Sequence, residues 1–129
     1  MSGAGEALRV AAVAALERVA GIGRVYDAPP LAVAAPHAVV QIDAETDWGH
    51  KNGAGREVRL AAVLSGEGER PLRLRAAAAS AEAALAGVGG EIGGWRLVTM
   101  QLVRTRELRR ATGGWAAVIE FRARMLAVG

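Results

Sequence analysis

Two stretches of the chain repeat their apolar residues at helical spacing, which predicts two amphipathic helices. The first covers residues 5–20 and is followed by Gly21, a common residue at a helix end. The second covers residues 71–87, begins at a proline and ends in glycines. The apolar positions of the first are Leu8, Ala12, Leu16 and Val19, and those of the second are Leu74, Ala78, Ala81 and Leu85. The many alanines of the second helix allow it to lie close to a sheet.

Four other segments are predicted to be β-strands, because they are rich in β-branched residues or alternate between apolar and polar positions. They cover residues 37–44, 56–64, 95–106 and 115–126. Polar, glycine-containing connections join the first strand to the second and the third to the fourth, which predicts two hairpins. Val25 and Tyr26 are expected to add a short extended segment before the Pro29–Pro30 break.

The predicted order of elements is helix, hairpin, helix, hairpin. Runs of antiparallel strands with helices on one face are typical of the α+β class. The length of 129 residues suits a single domain. We therefore predict one two-layer α+β domain over residues 1–129, with two helices on an antiparallel sheet of about four strands.

Composition narrows the possible functions. Hydrophobic residues make up 52% of the chain, which argues against disorder, and there is no cysteine, which excludes a disulfide scaffold and a thiolate metal site. The first twenty residues carry charges where a signal peptide needs a continuous apolar segment, and no apolar run reaches the roughly 18 residues of a membrane span. We expect a soluble, unprocessed protein. The formal charge of +3 is too small to require nucleic acid as a partner.

Residue types that could carry catalysis or hold a metal are present but scattered. The two histidines, His37 and His50, have no cluster of ligands around them, and the glycine-rich stretches do not match a phosphate-binding loop. The three serines have no nucleophile motif; they are Ser2, Ser65 and Ser80. We therefore predict no catalytic residue, no metal site and no cofactor.

The connection from Glu45 to Glu57 is the first candidate contact segment. It is longer than the two residues that a hairpin needs, and it contains Trp48 and the only lysine, Lys51. Its carboxylates Asp43, Glu45 and Asp47 alternate at the end of the predicted strand, and all three share one face if the strand extends that far. These carboxylates could act in general acid–base catalysis, or they could form a solvated edge that faces Lys51, Arg56 and Arg59 across the hairpin. The solvated edge is the favoured interpretation.

Two groups of arginines are further candidates. Arg70, Arg73 and Arg75 lie in or beside the first turn of the second helix, where positive charge opposes the helix dipole. A partner carboxylate would offset this cost, and packing of their stems on the alanine-rich surface is the alternative. The tip of the second hairpin is basic through Arg104, Arg106, Arg109 and Arg110. Three interpretations of this basic tip are open: a solvated hairpin end, a contact with another protein, and a two-stranded ribbon that enters a nucleic-acid groove.

Several short motifs, taken in order, resemble one known family. They are Arg24-Val25-Tyr26-Asp27, Thr46-Asp47-Trp48 with Lys51 and Gly55, and Phe121-Arg122-Ala123-Arg124. With the strands and the alanine-rich helix between them, the chain from about Leu8 to Met125 is similar to the tail-completion or tail-terminator proteins of long-tailed bacteriophages and of phage-derived gene transfer agents.

The resemblance implies a structural role in the virion and no enzymatic activity. Such proteins form a ring, typically hexameric, that caps the finished tail tube at the tail–neck junction after assembly in the host cytoplasm. The implied partners are further copies of the chain, the tail tube protein and a neck or stopper protein, and DNA passes through the ring without specific binding. No membrane is involved. The acidic Asp43, Glu45 and Asp47 and the basic Arg70, Arg73 and Arg75 are candidates for complementary subunit contacts. The alternative is a small nucleic-acid-binding module that uses the basic hairpin 104–110.

Overall fold

The computed structural model describes residues 3–30, 32–51 and 53–128. Within these residues the chain forms two α-helices and six β-strands. The helices are α1 (Ala4–Leu16) and α2 (Leu72–Ala86). The strands are β1 (Arg24–Tyr26), β2 (His37–Asp47), β3 (Gly55–Gly66), β4 (Glu91–Ile92), β5 (Trp95–Arg109) and β6 (Trp115–Ala127).

The six strands form one mixed sheet in the order β1-β2-β3-β6-β5-β4. β1 runs parallel to β2, and every other pair of neighbours is antiparallel. The two predicted hairpins therefore meet through β3 and β6, which lie at the centre. Both helices contribute to one apolar core with the sheet, so the opposite side of the sheet is called the helix-free face below.

The core follows the alternation of the two central strands. Every second residue of β3 and β6 is buried against the helices, because successive side chains of a strand point to opposite faces. These residues are Val58, Leu60, Ala62 and Leu64 of β3, and Ile119, Phe121, Ala123 and Met125 of β6. The helices add Leu8, Leu16, Leu74 and Leu85, with small alanines between them. The predicted apolar positions of the two helices are buried at Leu8, Ala12, Leu16, Leu74, Ala78, Ala81 and Leu85.

The α+β class and the two helices are confirmed, and β2, β3, β5 and β6 lie at the four segments predicted to be strands. The predicted count of about four strands and the predicted order of elements are wrong. β1 lies between α1 and the first hairpin and pairs in parallel, and β4 lies between α2 and the second hairpin. Two or three residues are too few to show a strand period, and a parallel pairing leaves no local signal in the sequence.

The boundaries differ most at the end of the first helix. α1 ends at Leu16, whereas the pattern predicted a helix to residue 20. The amide of Val19 donates to the carbonyl of Leu16 (2.9 Å), so residues 17–20 form tight turns that lead to the buried Ile22. Val19 still packs against the core, from a turn instead of a helix. The position of an apolar residue fits both conformations, which is why spacing alone did not place the end.

Candidate functional site

The first hairpin is paired almost to its tip. The amide of Trp48 donates to the carbonyl of Gly55 (2.8 Å), and His50 and Gly53 exchange two backbone hydrogen bonds of 2.9 and 3.2 Å. The prediction that the first strand ends at residue 44 and is followed by a long unpaired connection is therefore wrong, because β2 extends to Asp47 and the pairing continues beyond it. Lys51 is exposed at the turn.

Trp48 packs on its own sheet. It is half-buried, its ring lies edge to face with His50 at a centroid distance of 4.7 Å, and the Arg124 guanidinium carbon lies 5.4 Å from the Trp48 ring centroid. Gly55 leaves room for this strand geometry, since a Cβ there would collide with the Trp48 carbonyl. The hairpin tip is thus held in place by contacts within the chain, and the remaining exposed part of Trp48 is available to a partner.

The three carboxylates of β2 are not equivalent. The pairing of β2 with β3 shifts register between Ile42 and Ala44, so Asp43 lies in a bulge and the predicted continuous row is broken. Glu45 accepts a hydrogen bond from the amide of Gly5 (2.7 Å) and one from Arg56 Nε (3.0 Å). It therefore stabilises the first turn of α1, where a negative charge is favourable. Asp43 and Asp47 are exposed and form no ion pair within the part of the chain that the structure describes.

The arginines at the start of α2 also differ from one another. Arg75 forms a two-pronged ion pair with Glu107 of β5, with distances of 2.7 and 3.0 Å. The candidate partner carboxylate for Arg75 thus lies in the same chain. Arg70 and Arg73 are exposed and have no ion pair among the described residues. The pairing of Arg75 ties the far end of β5 to the helix layer.

The Arg75–Glu107 pair predicts a pH effect. The hydrogen bond from Arg75 holds the pKa of Glu107 below its ordinary value of 4.5. A lowered pKa in the folded state means that this pair stabilises the fold above pH 4.5, and that the contribution is lost as the pH falls through the lower folded value. We expect an NMR titration of the Glu107 side-chain carboxyl to show this lowered pKa, and Arg75→Gln to move it back toward 4.5. An unchanged pKa in Arg75→Gln would show that the pair does not form in solution.

The basic end of the second hairpin is partly neutralised. Arg104 and Arg106 both approach Glu120 of β6, at 2.7 and 3.7 Å, and the bond to Arg104 holds the pKa of Glu120 below its ordinary value. The Arg109 guanidinium carbon lies 4.9 Å from the Trp115 ring centroid. Of the four predicted arginines, only Arg110 has no side-chain contact of these kinds within the described residues. Nucleic-acid binding by this hairpin stays a prediction. Fewer of its arginines are free of contacts within the chain than the sequence indicated.

The helix-free face carries a group of charges that were not predicted to lie together. Glu57 accepts from Arg124 (3.1 Å) and lies 3.9 Å from Arg122, and Arg59 stands beside Arg122 in the register. Together with Arg104, Arg106 and Glu120 these residues form a patch of five arginines and two glutamates across β3, β6 and β5. The signal was present in the sequence: charged residues occupy the positions of β3 and β6 that alternate with the core.

Other features of the surface give little support to chemistry. Among the described residues no three His, Asp or Glu side chains lie close enough to hold a metal ion. His37 is buried and packs edge to face with Tyr26 at 6.1 Å. A cavity of about 530 Å³ lies between α2, the end of β3 and the turn after α1, and its lining is mostly small and apolar, with Arg73 and Ser80 at α2. In the described part of the chain, no helix has the length and apolar character needed to span a bilayer.

Comparisons with known proteins give a consistent result. The family model described as tail completion protein gp17 matches residues 7–126. Twenty-two chains of solved structures also match. One belongs to a structure described as the virion of a native gene transfer agent (GTA) particle. It superimposes with a TM-score of 0.82 at 26% sequence identity, and the match covers 98% of this chain and 100% of that chain. No curated protein matches the chain.

Proposed function

Since the chain belongs to the family of tail completion protein gp17, we propose that it is a ring-forming tail terminator of a long-tailed phage or gene transfer agent. In this role it is a structural protein of the virion. Copies of the chain, expected to number six, cap the finished tail tube and join it to the neck of the head. Its partners are the tail tube protein and a neck or stopper protein, and DNA passes through the ring without specific binding.

The observation that carries this proposal is the end-to-end likeness to a virion chain. The match leaves almost no part of either chain unaligned, so the likeness extends over the whole described fold. The surface agrees with a role in assembly, because exposed charges lie on the free part of β2, at the end of the second hairpin and across the helix-free face of the sheet. Heterologous contacts of this kind, repeated around an axis, close into rings.

Contacts within the chain divide the candidate interface residues. Those with no ion pair among the described residues are the more available to neighbours in the ring, the tube or the neck. They are Asp43, Asp47, Lys51, Arg70, Arg73, Arg109 and Arg110. Trp48 adds an aromatic surface beside Lys51 at the first hairpin tip. Glu45, Arg75, Arg104 and Arg106 have partners in their own chain, and a subunit contact through them would extend an existing pair.

Deletion of the gene tests the role directly. A cell that produces the particles but lacks this chain is expected to accumulate filled heads and separate tails of abnormal length, because nothing stops the tube or joins it to the neck. Electron microscopy of the lysate measures both classes. Expression of the chain from a plasmid is the control and should restore joined particles. Normal particles in the deletion strain would disprove the proposal.

A further inference from the structure

Both edges of the sheet are left largely unpaired. β1 covers β2 only at residues 37–39, and β4 covers β5 only at residues 95–96, with one further backbone bond from Leu97 to Gly90. Residues 40–47 of β2 and 98–109 of β5 therefore have no strand partner on their outer sides among the described residues. Unpaired edges of this length are a template for pairing with another chain.

The two free edges lie at the same height across the sheet. Through the register of β3 and β6, Ala44 is level with Gln101, and Thr46 is level with Thr99. β2 and β5 also run in opposite directions, because three antiparallel pairings separate them. A second copy placed beside the first, in the same orientation, would thus present its free β2 edge antiparallel to the free β5 edge.

The edges are opposite in charge. β2 contains three carboxylates and no lysine or arginine, a formal charge of −3. The free part of β5, residues 98–109, contains three arginines and one glutamate, a formal charge of +2. β5 also carries exposed apolar side chains, at Val98, Leu102, Val103 and Leu108, which are four of the seven large exposed hydrophobic residues in the described chain. Pairing of two β5 edges would bring two positive strands together, whereas pairing of β5 with β2 joins strands of opposite net charge.

We propose that neighbouring copies of this chain join by extending the sheet: the β5 edge of one copy adds antiparallel to the free β2 edge of the next. The inference rests on the proposed function and specifies how its ring is built. Each copy pairs its β5 edge with one neighbour and its β2 edge with the other neighbour. The contact is therefore heterologous and can repeat around a ring. Bulges near Val98 and Val103 in β5, and at Asp43 in β2, interrupt the free ladders. They restrict indiscriminate pairing and favour a partner with a matching edge.

Cysteine cross-linking tests the contact, because the natural chain has no cysteine. The test variant carries Ala44→Cys and Gln101→Cys, both at exposed positions of the helix-free face. Directly opposite residues in an antiparallel pair have Cα atoms about 4.5–5.5 Å apart, which a disulfide can bridge. Within one chain the two positions are three strand spacings apart, roughly 14 Å, so a disulfide inside the chain is excluded.

We expect oxidised particles that carry this variant to give a ladder of reducible multimers of the chain on a denaturing gel, up to the size of the ring. The single variants should give no multimer. A control pair, Val10→Cys with Leu72→Cys, lies on the helices at two positions that are each 62% exposed, and it should give no ladder. If the first pair is not incorporated into particles, Thr46→Cys with Thr99→Cys tests the same level of the two edges.

The outcomes separate this inference from the proposed function. Particles that contain the chain but give no ladder with either pair would overturn the edge-to-edge contact and leave the tail role intact. A dimer from Gln101→Cys alone would overturn it in favour of a two-fold pairing of β5 strands. Absence of the chain from particles of the unmodified strain would overturn the proposed function and this inference with it.

Discussion

Replacement of Phe121 by alanine is expected to lower the free energy of unfolding by about 3–5 kcal/mol. Phe121 is 1% exposed and is the largest fully buried side chain of the described core. It lies on the central strand β6, level with Leu60 of β3 and Leu102 of β5. The surrounding core is rich in alanine, whose side chains cannot move to fill the space, so most of the cavity would remain. Urea unfolding followed by tryptophan fluorescence measures the loss.

Leu102→Ala is the matched control for this prediction. Leu102 is level with Phe121 and is 46% exposed, so its truncation should cost under about 1 kcal/mol. A loss from Phe121→Ala that is no larger than this control would show that the core is not packed around β6. Since domains of this kind have only about 5–15 kcal/mol of total stability, the Phe121 variant is expected to be marginally folded.

The sequence predicted those helices and strands that are long enough for their apolar residues to repeat at a regular spacing. Phe121 illustrates this, because its place on the core face follows from the alternation over residues 115–126. The sheet order, the pairing of β1 and the presence of β4 could not be predicted in the same way, although Val25 and Tyr26 were expected to be extended and lie in β1. β1 pairs with β2 through a parallel contact, and β3 meets β6 across an intervening helix and hairpin. Both depend on packing between distant segments.

The candidate site was predicted by residue type but not by partner. The arginines of α2 and of the second hairpin were recognised as unusual clusters, yet Arg75 pairs with Glu107 across 32 residues, which spacing does not show. The bulge at Asp43 had a similar effect: it changed the direction of the carboxylates that follow it. Likewise, the free edges of β2 and β5 became visible only with the complete sheet order, because an edge is defined by which strands are absent beside it.

Replacement of Glu45 by alanine is expected to lower the free energy of unfolding by about 1–3 kcal/mol. The change removes the acceptor of the Gly5 amide at the start of α1 and leaves Arg56 without its carboxylate. Glu45 is 29% exposed at its side chain, so solvent screens part of the effect. Urea unfolding of the isolated chain measures it, and α1 should be the region whose amide hydrogen exchange rises most.

Asp47→Ala is the matched control for Glu45→Ala, because it removes a nearby carboxylate that has no ion pair among the described residues. Asp47 is two residues away on the same strand, is exposed and has no ion pair among the described residues, so its loss should change stability by no more than about 0.5 kcal/mol. Under the proposed ring, Asp47→Ala should instead weaken assembly, since it removes charge from the free β2 edge. If Glu45→Ala left stability unchanged and abolished assembly, Glu45 would act as an interface residue and its contact with α1 would be unimportant. We therefore expect Glu45→Ala to affect mainly the stability of the subunit and Asp47→Ala to affect mainly its assembly with the next subunit.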